Sequence, residues 1–320
     1  MKMLNEVLEQ IKKYDTIIIH RHERPDGDCI GCQMGLKYFL QHNFHDKHIY
    51  APGDMVPQYL QFNGLSDEVK DDLYANALVF VLDTSTKARI CDKRYENGAF
   101  IVKIDHHDDS ESFGDIEYVD PSAPACSQIV TLMLNSWGLE MPQKAATALY
   151  TALVSDTGRF RFRGVDQNTF EAASILVKTG IDIVDIYAKM DLKEINTYRL
   201  KAYLFKHMKS TPNGVMYMYF TKHICKKFNI SREDAAALVS EMSSIKGYPA
   251  WIAFTDYPDN IRVRLRSRYL PINEIGKMYR GGGHLQAAGG TIYNKKEMKQ
   301  LLKDADKLVA KYKLEHPEVQ

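Results

Sequence analysis

The chain has 320 residues, 45% of them hydrophobic, with 42 Lys and Arg against 41 Asp and Glu. This mixed, near-neutral composition excludes a disordered or fibrous chain and fits one large or two ordinary domains. A chain of this size buries roughly three quarters of its unfolded surface and needs no disulfide or metal staple, and its apolar runs, such as 77–82, fall far short of the ~18 residues of a membrane helix.

Residues 1–13 set Glu6 and Glu9 among Leu4, Val7, Leu8 and Ile11, which predicts an amphipathic surface helix and no export signal. Short β-rich runs at 16–20, 48–51, 78–82 and 99–104 then accompany helical periods at 31–41, 127–136, 143–153 and 168–179. That alternation predicts an α/β fold, a parallel sheet with helices on both faces. The charged stretch 192–208, free of Gly and Pro, predicts a connecting helix. It divides the chain into a domain at 1–190, a helical linker at 191–208 and a domain at 209–320. The last of these, with strands at 215–220, 250–255 and 261–267 and helices at 232–245 and 295–312, reads as a smaller mixed α/β unit. Charge follows the division: 19 Lys and Arg against 28 Asp and Glu in residues 1–190, then 23 against 13. An acidic half suits divalent cations and a basic half suits phosphates, although two solvated surfaces would give the same count. Five cysteines, an odd number scattered along the chain, predict free thiols in a reducing, cytoplasmic compartment.

Ligands of parallel sheets bind where the strands end. Here 17–19 runs into His22-Glu23-Arg24-Pro25-Asp26-Gly27-Asp28, 79–81 into Asp83, and 101–104 into Asp105-His106-His107. Carboxylates crowded at one edge repel unless cations neutralise them, and mixed His/Asp donors suit Mn²⁺ or Mg²⁺ better than a structural zinc site. A single such loop would be ordinary turn chemistry.

In order along the chain, His22-x-x-Pro25-Asp26-x-Asp28, Asp83, Asp105-His106-His107 and Ser155-Asp156-Thr157-Gly158 resemble the four motifs of the DHH phosphoesterase superfamily. The run from Gly281 to Gly289 resembles the glycine-rich signature of the DHH-associated C-terminal domain. Asp156 to Phe160 and Arg266-Ser267-Arg268 resemble the nano-RNase branch, whose members degrade very short RNA and remove the 3′ phosphate of 3′-phosphoadenosine 5′-phosphate. The resemblance implies one metal on His22, Asp26 and Asp83 and a second on Asp28, Asp83, His106 and Asp156, with Asp83 bridging. The imidazoles favour Mn²⁺, with Mg²⁺ or Co²⁺ as alternatives, the short apolar runs predict no membrane attachment, and the resemblance implies a homodimer. Asp105 is then the catalytic-site carboxylate that orients an imidazole, and His107, unligated, is the candidate general acid. Two cations lower the pKa of a water and stabilise in-line displacement, so the nucleophile is hydroxide and no side chain.

The basic half offers Arg262, Arg264, Arg266 and Arg268 in strand alternation, one guanidinium face suited to phosphates and bases. Gly281, Gly282 and Gly283 let backbone amides approach an anion, and His284 adds a donor. Arg159 beside Phe160 and Phe162 suits a phosphate or a base near the metals, and packing in the core suits the phenylalanines equally. Cys29-Ile30-Gly31-Cys32 has redox spacing but stands where the family usually has small residues, which leaves thiol sensitivity near the metals open. Rival readings are a phosphodiesterase for linear dinucleotides, a pyrophosphatase, and a non-catalytic nucleotide-binding regulator.

Overall fold

The computed structural model describes residues 2–108, 110–192 and 194–317; Met1, Lys193 and 318–320, which fall in the expected helix, linker and second domain, lie outside it. The chain divides into two units, 1–192 and 193–320.

The first unit runs α1 (Lys2–Lys13), β1 (Thr16–His20), α2 (Gly27–Asn43), β2 (His48–Tyr50), β3 (Ala77–Leu82), β4 (Phe100–Asp105), β5 (Ile116–Val119), α3 (Cys126–Ser136), α4 (Gln143–Asp156), α5 (Gln167–Val177) and α6 (Ile183–Asp191). Its strands pair in the order β2-β1-β3-β4-β5, all parallel. Three consecutive isoleucines of β1 are fully buried because both faces of the sheet are covered. Ile17, Ile19, Phe80 and Ile104 pack with Phe39, Val130 and Leu149 beneath the α-helices. Ile18, Val79 and Val81 turn to the other face, where Tyr74 and Tyr95 arrive on the 3₁₀ helices Asp71–Asn76 and Lys93–Asn97. The edge strand β5 gave no alternation to read, since all four of its residues are half-buried.

One helix contact positions the site. A Cβ on Gly31 would fall 2.3 Å from the Ala148 carbonyl oxygen and one on Gly27 2.2 Å from Ser155 Oγ, so only glycine lets α2 lie this close against α4. Gly27 at the start of α2 therefore meets Ser155 at the end of α4, and Asp28 and Asp156 come together.

The second unit runs α7 (Ile195–His207), β6 (Lys209–Ser210), β7 (Val215–Phe220), α8 (Lys222–Phe228), α9 (Arg232–Ala237), β8 (Ala250–Asp256), β9 (Ile261–Ser267), α10 (Asn273–Met278), β10 (Gly282–His284), β11 (Ala287–Ile292) and α11 (Lys295–Glu315). Its sheet has the order β10-β11-β9-β8-β7-β6, with β7 and β8 parallel and the remaining pairs antiparallel. The helix expected over 232–245 changes to 3₁₀ geometry at Leu238–Ser244. Leu200 and Leu204, four residues apart on α7, bury against Met216, Met218 and Trp251, so the apolar side of α7 completes the core of this unit.

Candidate metal centre

The predicted ligands arrive from four places at the carboxyl edge of the first sheet: the turn from β1 into α2, the ends of β3 and β4, and the last residue of α4. His22 follows β1 in a loop held by Glu23 N donating to Arg89 O and Cys91 N to Arg21 O, at 2.7 and 2.9 Å. Asp26 caps α2, its Oδ1 accepting from the amides of Asp28 and Cys29. Asp83 leaves β3 with φ 51°, a left-handed conformation that Asp tolerates at a cost of about 1–3 kcal/mol.

Asp83 lies between both imidazoles. His22 Nε2 is 3.5 Å from its Oδ2 and 3.4 Å from Asp26 Oδ2, while His106 Nε2 is 3.3 Å from its Oδ1, 3.4 Å from Asp156 Oδ2 and 3.9 Å from Asp28 Oδ2. Each ring is oriented from its other side: Nδ1 of His22 donates to Glu23 O at 2.8 Å and Nδ1 of His106 to Ala123 O at 3.1 Å. That tautomer leaves a lone pair on each Nε2, aimed at carboxylate oxygens. Lone pair facing lone pair is a cation's environment, and Asp83 Oδ1, buried without a hydrogen-bond partner, is the orphan atom such a cation would satisfy. Among the described residues, ligand atoms of His22, Asp26, Cys29 and Asp83 lie within 4.8 Å of one another, as do those of Asp28, His106 and Asp156, and of Asp83, His106 and His107. The residues present fit two divalent cations.

Asp28 is fully buried and held by the start of α3, its Oδ2 accepting from Cys126 N at 2.6 Å and its Oδ1 from Ser127 N at 3.1 Å. Asp105 stands behind His107: its Oδ1 accepts from His107 Nδ1 at 2.7 Å, and its Oδ2 accepts from Ser110 Oγ at 2.6 Å and lies 3.9 Å from Lys103 Nζ. Nε2 of His107, whose side chain is 30% exposed, is thereby the nitrogen left free to face a ligand. Sequence reasoning missed the Glu23 and Ala123 carbonyls and the α3 amides, because backbone groups carry no residue signature. It set Cys29 near the metals but did not count it among the ligand candidates, where the structure groups it with His22, Asp26 and Asp83.

In chelator-treated protein the cluster is held by protons. Burial, then the Asp83 charge, raises Asp28 to about 7; burial, then Asp28 and Asp83, raises Asp156 to about 8. An unfolded carboxyl ionises near 3.9, so the folded state retains protons that the unfolded chain has released, and stability falls as pH rises from about 4 to about 8. His106 has the same sign. Burial alone would lower it, but Asp83, Asp28 and Asp156 raise it to about 10; its contribution is complete below about 6.5 and is lost as pH climbs through about 10. Divalent cations compete with these protons, so the rise in Tm on adding Mn²⁺ is expected to grow between about pH 5 and pH 8 in scanning calorimetry. An increment independent of pH would contradict this cluster.

Arg159 is held within the first unit, its guanidinium hydrogen-bonded to Asp191 and lying 5.2 Å above the Tyr187 ring. Phe160 stacks on Phe170 against the core, whereas Phe162 is exposed. In the second unit Arg262, Arg264 and Arg266 share a face of β9, and Arg268 lies just beyond it. Arg266 Nη1 donates to Leu265 O at 2.9 Å, and Arg268 donates to Ser243 O. Arg262 lies 4.3 Å above the Tyr257 ring; with Arg264, Thr255 and Gly289 they line a cavity of about 240 Å³. Thr255 Oγ1, on the same cavity wall, is buried without a partner. Gly282 to His284 form a hairpin with β11, and a Cβ on Gly283 would fall 2.5 Å from Ala287 O, so this glycine is demanded by the hairpin itself; His284 is exposed.

Two family models match the chain: the DHH family, N-terminal domain, over residues 16–153, and the DHHA1 domain over residues 213–311. The "Bifunctional oligoribonuclease and PAP phosphatase NrnA" of Bacillus subtilis is 35% identical over 96% of this chain and 98% of its own length. The "Probable bifunctional oligoribonuclease and PAP phosphatase NrnA" of Streptococcus mutans is 37% identical over 97% of this chain and all of its own. A crystal structure of an exopolyphosphatase-related protein from Bacteroides fragilis superposes with a TM-score of 0.87 at 26% identity, covering 97% of this chain and 98% of that one. With both halves matched in order and the ligand motifs gathered at one sheet edge, the chain belongs to the NrnA-type branch of the DHH phosphoesterase superfamily.

Proposed function

We propose that this protein hydrolyses very short oligoribonucleotides to mononucleotides and removes the 3′ phosphate of 3′-phosphoadenosine 5′-phosphate. The carrying observation is the orphaned Asp83 carboxylate between two inward-facing imidazoles, and the NrnA relatives supply the substrate class. In this reading His22, Asp26 and Asp83 hold one divalent cation, and Asp28, Asp83, His106 and Asp156 hold the other. Such cations supply the positive charge that lowers the pKa of water and neutralises charge developing on a phosphoryl group. Mn²⁺ fits best, since imidazole and carboxylate together suit it better than Mg²⁺.

The protein's own side chains do the rest. His107, held by Asp105, donates a proton to the departing oxygen; Asp105 is a positioning residue, anchored by Ser110 and Lys103. Residues 1–192 carry the hydrolytic site and residues 193–320 the substrate grip, where Arg262, Arg264, Arg266, Arg268, the 281–283 glycines and His284 bind phosphates and bases. Arg159 is assigned to the same task in the first unit. A cytoplasmic location is supported by five cysteines that are all free, and among the described residues no helix is long and apolar enough to cross a membrane. The reading includes a homodimer, tested by light scattering against twice the chain mass of 36.7 kDa.

The decisive assay offers Mn²⁺ with RNA of two to five nucleotides, 3′-phosphoadenosine 5′-phosphate, linear dinucleotides and pyrophosphate in parallel. Release of mononucleotides from short RNA and of phosphate from the bisphosphate supports the proposal; pyrophosphate as sole substrate, or tight nucleotide binding without turnover, overturns it. Arg266→Ala and Arg268→Ala are expected to raise KM for the nucleotides about 10-fold or more while changing that of a small generic phosphoester less. Equal effects on both would remove the assigned grip.

A further inference from the structure

We propose that Cys29 is a ligand of the first metal position and gives it a preference for thiophilic cations that the second position lacks. This rests on the metal centre but not on the choice of substrate. Cys29 stands in the first turn of α2, three residues after the Asp26 cap, with its side chain fully buried. Its Sγ is within 4.8 Å of the ligand atoms of His22, Asp26 and Asp83, and its thiol points at Asp26 O at 3.6 Å.

The first group thus offers one nitrogen, two carboxylates and one sulfur, a four-donor set of the kind that suits zinc, cadmium or cobalt(II). The second group, Asp28, His106 and Asp156, is sulfur-free and suits the harder Mn²⁺ or Mg²⁺. The other thiols nearby do not repeat this arrangement: Cys32 Sγ donates to Asp28 Oδ1 at 3.4 Å and Cys126 Sγ to Ile104 O at 3.4 Å, and neither belongs to a ligand group among the described residues. On binding, the Cys29 S–H bond breaks, its proton passes to solvent, and the sulfur lone pair forms the bond to the cation. Burial pushes the free thiol up to about 12, so it is the bond to the cation that draws the proton off.

The test is spectroscopic and does not read turnover. Co²⁺ added to the full-length, metal-stripped protein is expected to produce a sulfur-to-cobalt charge-transfer absorption in the near ultraviolet. The band should saturate at one equivalent per chain, persist in Cys32→Ala and Cys126→Ala, and vanish in Cys29→Ala and Cys29→Ser. Calorimetric titration is expected to show Cd²⁺ affinity at the first position falling by about 10-fold or more in Cys29→Ser, at least the loss that disturbing an outer-shell partner brings, with a smaller change for Mn²⁺. Absence of the band in the native protein, its survival without Cys29, or equal losses for Cd²⁺ and Mn²⁺ would overturn the proposal. If Cys29→Ala does not fold by circular dichroism, the near-isosteric Cys29→Ser and the native spectrum still decide.

Discussion

Asp83→Asn is expected to lower bound Mn²⁺ below two per chain and to reduce kcat/KM on a diribonucleotide by about 10³-fold, roughly 4 kcal/mol of lost transition-state stabilisation. The two oxygens of Asp83 face different imidazoles, Oδ2 toward His22 and Oδ1 toward His106, so in the proposed centre one carboxylate would serve both cation positions. Asparagine keeps the shape and tolerates the left-handed backbone that Asp83 adopts, but its amide brings no negative charge and turns an N–H toward one of the cations. The fold should survive, as measured by far-ultraviolet circular dichroism, while elemental analysis records the missing metal. A variant with full metal content and full activity would remove the two-cation centre.

His107→Ala is expected to do the reverse: both metals stay and kcat falls by about 10²–10⁴-fold, the usual worth of a general acid. Its Nδ1 is committed to Asp105 at 2.7 Å, which orients the ring so that, once protonated, its Nε2 would deliver the proton in the proposed role. The distinguishing measurement uses leaving groups of different basicity. A p-nitrophenyl ester, whose oxygen departs without protonation, should lose little, whereas a nucleotide ester should lose the full factor. Equal losses on both esters would deny the acid role, and loss of metal would make His107 a ligand, as its Nδ1 at 3.8 Å from Asp83 Oδ1 would then suggest.

Most of the sheet was legible because buried parallel strands announce themselves: 16–20 and 77–82 are runs of β-branched and large apolar residues that end at a polar cluster. Ile116–Val119, Ile183–Asp191 and Lys222–Phe228 were not, being short, with Ile186, Ile224 and Cys225 their buried residues. The helix expected at 232–245 tightened after Ala237, where packing of Leu238, Val239 and Met242 against the sheet outweighs helical propensity. In the basic half the alternation of arginines was readable from period two, but not that Arg268 would turn to the Ser243 carbonyl or Arg262 to the Tyr257 ring.

By itself the amino-acid order determined the chemistry: acids and imidazoles placed immediately after apolar strands must emerge at one edge of a parallel sheet, and their mutual repulsion calls for cations. Which nitrogen faces which oxygen was decided only by the folded chain, because the imidazoles are turned by backbone carbonyls of Glu23 and Ala123, groups every residue possesses. Tertiary packing alone also brought Asp28 to Asp156, since that distance depends on how closely α2 can approach α4 at Gly27 and Gly31. Contacts across more than a hundred residues are set by volume and shape, and neither is written in local pattern.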